Sequence, residues 1–279
     1  MSAFVPPLAC SVRACALPLV HEGARWRCER GHSFDVARSG YLSLLQPHDR
    51  RSLEAGDSRE TVDARRALLD AGFGAALRVE LVALARTLGL PAGATVLDLG
   101  CGDGHFLAAT CDELALHGLG IDLSPHAVER CARRHPRHAW IAANADRRLP
   151  VLDASIDLAL SIDGRRPPSE FARVLRPEGA LIVAVPASDD LVELRASVLG
   201  EDRGASRVPA VLEELAAHFE LRDQRSARER VQLDRTGLEQ LALATYRWQR
   251  ERERQRLAAL EGLEVTTSHD LLLLRRRTS

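Results

Sequence analysis

Val96-Leu97-Asp98-Leu99-Gly100-Cys101-Gly102-Asp103-Gly104 decides how the chain is read. Apolar residues around one acid predict a buried strand ending in a carboxylate. The glycines at 100, 102 and 104 predict a tight turn into a helix starting near His105. Glycine lets the backbone approach a ligand closely, and a helix N-terminus offers unbonded N–H groups to an anion. The spacing is G-x-G-x-G, so it departs in its last interval from the dinucleotide fingerprint G-x-G-x-x-G. Further on, Gly118-Leu119-Gly120-Ile121-Asp122-Leu123-Ser124 predicts the next strand, with Asp122 at its end. An acid about 20 residues beyond a glycine turn suits the hydroxyls of an adenosine ribose.

Asp98, Gly100, Gly102, Gly104 and Asp122, in this strand–helix order, resemble the class I S-adenosylmethionine (SAM)-dependent methyltransferases. A glycine turn alone would be an ordinary strand-to-helix loop; the two acids make the difference. The resemblance implies an α/β, Rossmann-like domain in which the glycine turn holds the methionine moiety of SAM and Asp122 binds its ribose.

The chain of 279 residues has room for one large α/β domain and a small extra module. A net charge of −1 announces no polyanionic partner. All 38 basic residues are arginine, however, and arginine suits bidentate phosphate contacts, so nucleic-acid binding stays open. No apolar run reaches the length of a membrane helix, which argues against a membrane partner. The start, Met1-Ser2-Ala3-Phe4-Val5-Pro6-Pro7, lacks the basic region of a signal peptide, so the cytoplasm is the expected location.

Of the six cysteines, three fall in the predicted methyltransferase core and three within the first 28 residues. In a cytosolic enzyme such a cluster favours metal over disulfides. Cys10, Cys15, Cys28 and His32 are spaced C-x4-C…C-x3-H, and two two-ligand knuckles around a hairpin can close a tetrahedral zinc site. Thiolates with an imidazole favour Zn2+ over hard cations, and four protein ligands make the metal structural. His21 is a rival fourth ligand; the plainer alternative is buried cysteines, a free thiol and a surface His32. So short a segment cannot build its own core, and a metal would stabilise it.

The expected divisions are a zinc-binding module over 8–45, a loop and linking helices over 46–90, and a methyltransferase domain over 91–279. Gln46 to Gly56 reads as a mobile loop. Asp57 is the expected N-cap of a helix from Ser58 to Ala71, with Glu60 completing a capping box. A second helix, Ala75 to Leu88, ends at Gly89.

Here the resemblance narrows. Cys28-x3-His32-x-Phe34-Asp35, Gly40-Tyr41-x-x-Leu44-Leu45, Gly56-Asp57-Ser58 and Ala64-Arg65-Arg66-Ala67-Leu68-Leu69-Asp70-Ala71-Gly72 resemble the bacterial 23S ribosomal RNA guanine-N1 methyltransferases, which include tylosin-resistance enzymes. The similarity runs from Cys10 to the last strand. It implies a zinc ribbon that helps hold RNA, a SAM-binding domain, and methylation of a guanine in a hairpin loop of 23S ribosomal RNA; relatives also suggest a homodimer. Two departures stand out. The family's first knuckle is C-x2-C, where this chain has Cys10 and Cys15. Many relatives carry an aromatic-Ala-Pro run where this chain has Asp163-Gly164-Arg165.

Asn144 follows the predicted strand Ala139 to Ala143, and the resemblance places it on the adenine edge of SAM; its alternative is a turn-stabilising asparagine. The strand Ile156 to Ile162 leads into Asp163. Ligands of doubly wound sheets sit beyond the strand C-termini, so this loop should face the transferred methyl. Asp163 is therefore the candidate base for the guanine N1 proton and Arg165 a candidate for phosphate or the guanine carbonyl, the alternative being a turn-capping aspartate. Val174-Leu175-Arg176-Pro177-Glu178-Gly179 reads as the turn before a strand from Ala180 to Val185. The last strand is expected around Leu271 to Leu274. Arg247 to Arg256 reads as a solvated helix face with local ion pairs, and Arg275-Arg276-Arg277 as a frayed tail. Competing functions are a small-molecule methyltransferase and a non-catalytic RNA-binding protein with a relict SAM pocket.

Overall fold

The computed structural model describes residues 4–13, 15–46, 49, 56–200, 204–245 and 250–277. Near the N-terminus, β1 (Val20–Glu22), β2 (Arg25–Arg27) and β3 (Ser33–Asp35) form a small antiparallel sheet in the order β1-β2-β3. Alternation buries Trp26 while Arg25 and Arg27 face water. The next strand, β4 (Leu42–Ser43), leaves this sheet and pairs in parallel with β7 (Ala139–Ala142) at the edge of the main sheet.

The main sheet has eight strands in the order β10-β11-β9-β8-β5-β6-β7-β4. Its parallel part comprises β4, β7, β6 (His117–Asp122), β5 (Thr95–Leu99), β8 (Ile156–Ile162) and β9 (Leu175–Pro186). All of β5 is buried, as expected of a strand covered on both faces. The chain winds outward from β5 through β6 and β7, then returns to β8 on the other side. This switch point between β5 and β8 leaves a crevice at their C-terminal ends. β11 (Gly262–Arg276) lies antiparallel between β9 and β10 (Phe219–Asp234).

The helices are α1 (Arg59–Asp70), α2 (Ala75–Arg86), α3 (His105–Leu114), α4 (Pro125–Arg134), α5 (Pro168–Val174), α6 (Val192–Leu199), α7 (Val208–Leu215), α8 (Arg235–Thr245) and α9 (Glu251–Ala258). One buried cluster joins Leu8, Cys10, Trp26 and Cys28 to Leu97, Leu99, Ile121 and Phe171. The N-terminal sheet thus shares the apolar core of the large one. Trp140, Val96 and Leu160 anchor the cluster on the opposite face, and Leu68, Leu194 and Leu241 belong to a third.

Several expectations need correction. Ser58, not Asp57, caps α1: its Oγ accepts the Thr61 N–H at 3.2 Å, while the Asp57 carboxylate is taken by Arg65. The strand expected from Ala180 begins at Leu175, because Leu175 already pairs with Ile156 across an irregularity, so most of the expected turn lies within β9. β11 extends far beyond Leu271 to Leu274; its polar run Thr266-Thr267-Ser268-His269 is buried and gave no apolar signal. The tail is not frayed. Arg275 and Arg276 are strand residues; Arg275 donates to the Glu178 carbonyl, Arg276 Nη1 donates to the Leu175 carbonyl at 3.0 Å, and Arg277 Nε reaches Phe219 O at 3.2 Å. In α9, Gln255 donates to Glu251, and the exposed Arg250 guanidinium lies 3.8 Å from Glu253, matching the solvated-face reading; 247–249 lie outside the described residues. The mobile-loop expectation over Gln46 to Gly56 also falls largely outside them.

Candidate functional site

The β1–β2 hairpin separates two knuckles that bring Cys10, Cys15, Cys28 and His32 together, with all four ligand atoms within 4.8 Å of one another. Cys15 Sγ lies 3.8 Å from Cys28 Sγ, and His32 Nδ1 lies 3.4 Å from both Cys10 Sγ and Cys28 Sγ. In a tetrahedron with Zn–S bonds of about 2.3 Å, neighbouring sulfurs lie about 3.8 Å apart, while a disulfide would need about 2.0 Å. The donor set and spacing fit structural Zn2+. The longer C-x4-C knuckle still closes this geometry. His21 stands outside it, packed on Trp26 with ring centroids 5.0 Å apart.

At the C-terminal ends of β5, β6 and β8 lies a cleft of about 610 Å³. Asp98, Gly100, Gly102 and Asp122 form one wall, Phe73 and Phe106 an apolar one, and Asp163 the rim. Asp122 pins the turn: its Oδ2 accepts the Gly102 N–H at 2.9 Å and its Oδ1 the Ser124 N–H at 2.8 Å. Ser124 also caps α4, with Pro125 at its first position. Gly104 stands behind the cleft. It has a φ of +77°, and a Cβ there would overlap the Trp140 ring, so glycine is demanded by packing as well as by the turn.

The cleft also draws on residues whose roles no local sequence pattern revealed. Arg65 of α1 pairs with Asp57 and donates through Nη2 to the Ala244 carbonyl at 2.9 Å, tying α1 to α8 above the glycine turn. The buried Arg66 bonds Asp103 at 3.1 Å, fixing the same helix to the turn itself. His269, midway along β11, places Nε2 3.0 Å from Asp163 Oδ2. Its partner lies 106 residues away in sequence, so no local pattern could have found it.

Asp163 stands at the cleft rim with a positive φ of 51°, and its N–H donates to the Ala184 carbonyl at 3.0 Å. Arg165 also lines the cleft, its guanidinium 2.9 Å from Asp146. Asn144 is not among the lining residues: its Oδ1 accepts the Asp146 N–H at 2.9 Å and its Nδ2 donates to Asp49 Oδ1 at 3.0 Å. That is the turn-stabilising arrangement.

Asp98 tests whether the cleft suits a cationic ligand. It is buried, and its Oδ1 has no hydrogen-bond partner among the described residues. Burial, followed by the nearby Asp122 carboxylate, pushes its carboxyl up from 3.8 to about 7. Burial raises Asp122 too, against the pull of the Ser124 and Gly102 N–H groups. Two carboxylates beside a glycine turn and an apolar wall fit SAM, which carries an ammonium, a sulfonium and two ribose hydroxyls. In the ligand-free protein, Asp98's contribution to stability is present below its unfolded value of 3.8 and lost as pH rises through about 7. A bound cation reverses this preference and expels the proton. Calorimetry in buffers of different ionisation enthalpy should show close to one proton released per SAM at about pH 6, almost none at about pH 8, and none in Asp98→Asn. Release that is the same at both values would remove Asp98 as its source.

Comparison with known proteins agrees with this geometry. A family model described as "Methyltransferase domain" matches residues 96–179, and one described as "RlmA, N-terminal", a zinc ribbon, matches residues 9–53. The chain is 40% identical to a 23S rRNA (guanine(748)-N(1))-methyltransferase of Streptomyces fradiae, over 91% of this chain and 92% of that protein. It is 38% identical to a Micromonospora griseorubida protein with a provisional name of the same kind, over 83% of each chain. Among solved structures, a provisionally assigned methyltransferase of Bacillus halodurans superposes with a TM-score of 0.50 at 15% identity. That match covers 72% of this chain and 100% of the other, and shares the fold alone.

Proposed function

The chain belongs to the 23S rRNA (guanine-N1)-methyltransferase family, and on that premise we propose that it methylates N1 of a guanine displayed in a hairpin loop of 23S ribosomal RNA. The observation carrying this reading is the union of a zinc ribbon and a SAM cleft in a chain that matches the Streptomyces fradiae enzyme over 91% of its length. The 8–45 segment is then the RNA-holding module, 46–90 the connection, and 91–279 the catalytic domain. Acting on ribosomal RNA, the enzyme would work in the cytoplasm, and the family resemblance implies a homodimer.

Bound SAM supplies an electrophilic methyl group. The chain's part is to hold the guanine in line, exclude water and remove the N1 proton. In this reading Asp98, Gly100, Gly102 and Asp122 hold the cofactor, and Gly104 sets the turn behind them. Asn144 supports the adenine-side loop through its turn rather than by direct contact. Asp163, at the C-terminal end of β8, accepts the guanine N1 proton through its carboxylate. His269 orients that carboxylate, and Arg165 steadies a phosphate or the guanine carbonyl. The target base has to leave its stack to enter the cleft.

Purified protein, SAM and protein-free large-subunit RNA should yield SAM-dependent 1-methylguanosine by nucleoside mass spectrometry, and a reverse-transcription stop would locate it. No product on free RNA or on ribosomal particles, with SAM bound, would overturn the reading. Asp163→Asn should slow transfer about a hundredfold, the low end of the general-base range, without changing SAM affinity. Transfer at the wild-type rate would remove Asp163 as base.

A further inference from the structure

A second cavity, of about 470 Å³, adjoins the SAM cleft and shares Pro186, Asp190 and Arg207 with it. The end of β9, the segment 204–207 and one face of α7 enclose it, and three arginines reach it: Arg166, Arg195 from α6, and Arg207. Among the described residues only Arg166 is neutralised by a carboxylate there, with Nε 3.1 Å from Glu214 Oε2 and Nη1 donating to the Gly164 carbonyl at 2.9 Å. The other acid, Asp190, is turned to the sheet, where its Oδ1 accepts the Ser268 N–H at 3.1 Å.

Arg195 and Arg207 lack that compensation. Arg195 donates to the Ser188 carbonyl at 2.6 Å, but its Nε is sealed from solvent with no hydrogen-bond partner among the described residues. Gly204 leaves room for this guanidinium, since a Cβ there would overlap Nη1. Neither arginine forms an ion pair among the described residues. A shielded guanidinium without a counter-charge is costly, and the positive end of α7 beside it adds to the same field. The cavity is built for an anion, and paired arginine forks match phosphate oxygens well.

We propose that this cavity holds the backbone phosphate of a nucleotide flanking the target guanosine, gripped by Arg195 and Arg207. The proposal rests on the reading of the chain as an RNA methyltransferase, and it adds the contact that sets the register of the RNA. Phosphate contacts position a nucleic acid without reading its sequence, as a grip beside the reaction cleft requires.

The test uses a hairpin RNA substrate and the Arg195→Gln/Arg207→Gln double variant. The KM for RNA should rise about ten- to a hundredfold, the weight of charge-assisted hydrogen bonds, with the effect on KM rather than kcat. The salt dependence of RNA binding should flatten by about 0.7 in slope, the value of one single-strand phosphate. Neutral methylphosphonate linkages are then walked through the loop. At one position beside the target, wild type should lose as much affinity as the variant does, and the variant should lose nothing more. Additive losses at every position would overturn the proposal. Arg207→Gln alone, on an exposed side chain, serves if Arg195→Gln fails to fold. If inorganic phosphate binds wild type but not the variant while RNA affinity is the same in both, the cavity serves a free anion and the proposal falls. A wild type that binds SAM yet neither binds nor methylates the hairpin removes the RNA reading itself. One that methylates normally, with variants to match, removes only this contact.

Discussion

Cys28→Ser is expected to strip the chain of its zinc and to lower the stability of the whole molecule, not only that of its first fifty residues. Cys28 Sγ lies 3.8 Å from Cys15 Sγ and 3.4 Å from His32 Nδ1, so it is a central corner of the donor set. Serine lacks the soft thiolate that holds Zn2+, leaving three ligands. In small zinc modules the metal contributes about 10–16 kcal/mol of apparent binding energy, much of which is folding energy. Here Cys10, Trp26 and Cys28 share a buried cluster with Leu97, Leu99 and Ile121, so loosening the knuckles exposes the face of the main sheet. A loss of only about 4 kcal/mol would lower Tm by roughly 10 °C in a domain of this size. Metal analysis should find zinc near one equivalent in wild type and near none in the variant, and calorimetry should show the fall in Tm. A variant that keeps both its zinc and its Tm would contradict the assignment.

Asp122→Ala should weaken SAM binding on the order of a thousandfold. The carboxylate fastens the glycine turn through the Gly102 N–H and the α4 entry through the Ser124 N–H. It has lone pairs left for the ribose hydroxyls, and each hydrogen bond to a charged group contributes about 1.5–3 kcal/mol. Two such bonds amount to about 3–6 kcal/mol, or two to four orders of magnitude in affinity. Alanine also releases the turn whose shape the cofactor needs. Isothermal calorimetry reads the change directly, and Asp122→Asn should recover only part of it, since an amide oxygen accepts but carries no charge. A change of less than about tenfold in the alanine variant would detach Asp122 from the cofactor.

The parallel part of the fold was legible because its signals are local. An apolar run that ends in an acid and then a glycine turn marks β5 and α3, and the Ser124–Pro125 pair marks the start of α4. The knuckle spacing likewise brought the four zinc ligands to notice without the structure. Long-range relations were not legible. Asn144 looked like a ligand-binding residue because its position at a strand end is generic, whereas its hydrogen bonds run to Asp49 and Asp146. His269 sits in a run of threonines and serine that reads as polar, yet the run is buried, paired with β10 on one side and bonded on the other to Asp190 and Glu193. Asp57 and Ser58 are both good caps; Arg65, about two turns further along, draws Asp57 away and leaves the cap to Ser58.

The position of β11 between β9 and β10 has a consequence for how the chain is made. During synthesis both flanking strands leave the ribosome before the strand that joins them. Until β11 arrives, the apolar edge of β9, Ala180 to Val185, has no partner on that side. Unpaired edges of this kind recruit strands from other chains, and sheets closed by distant segments assemble slowly. His269 and Thr267 enter the cleft on the same strand, so a nascent chain has no complete binding site until that strand is inserted. Methyl transfer, which needs the Asp163–His269 pair, therefore reports completion of the sheet.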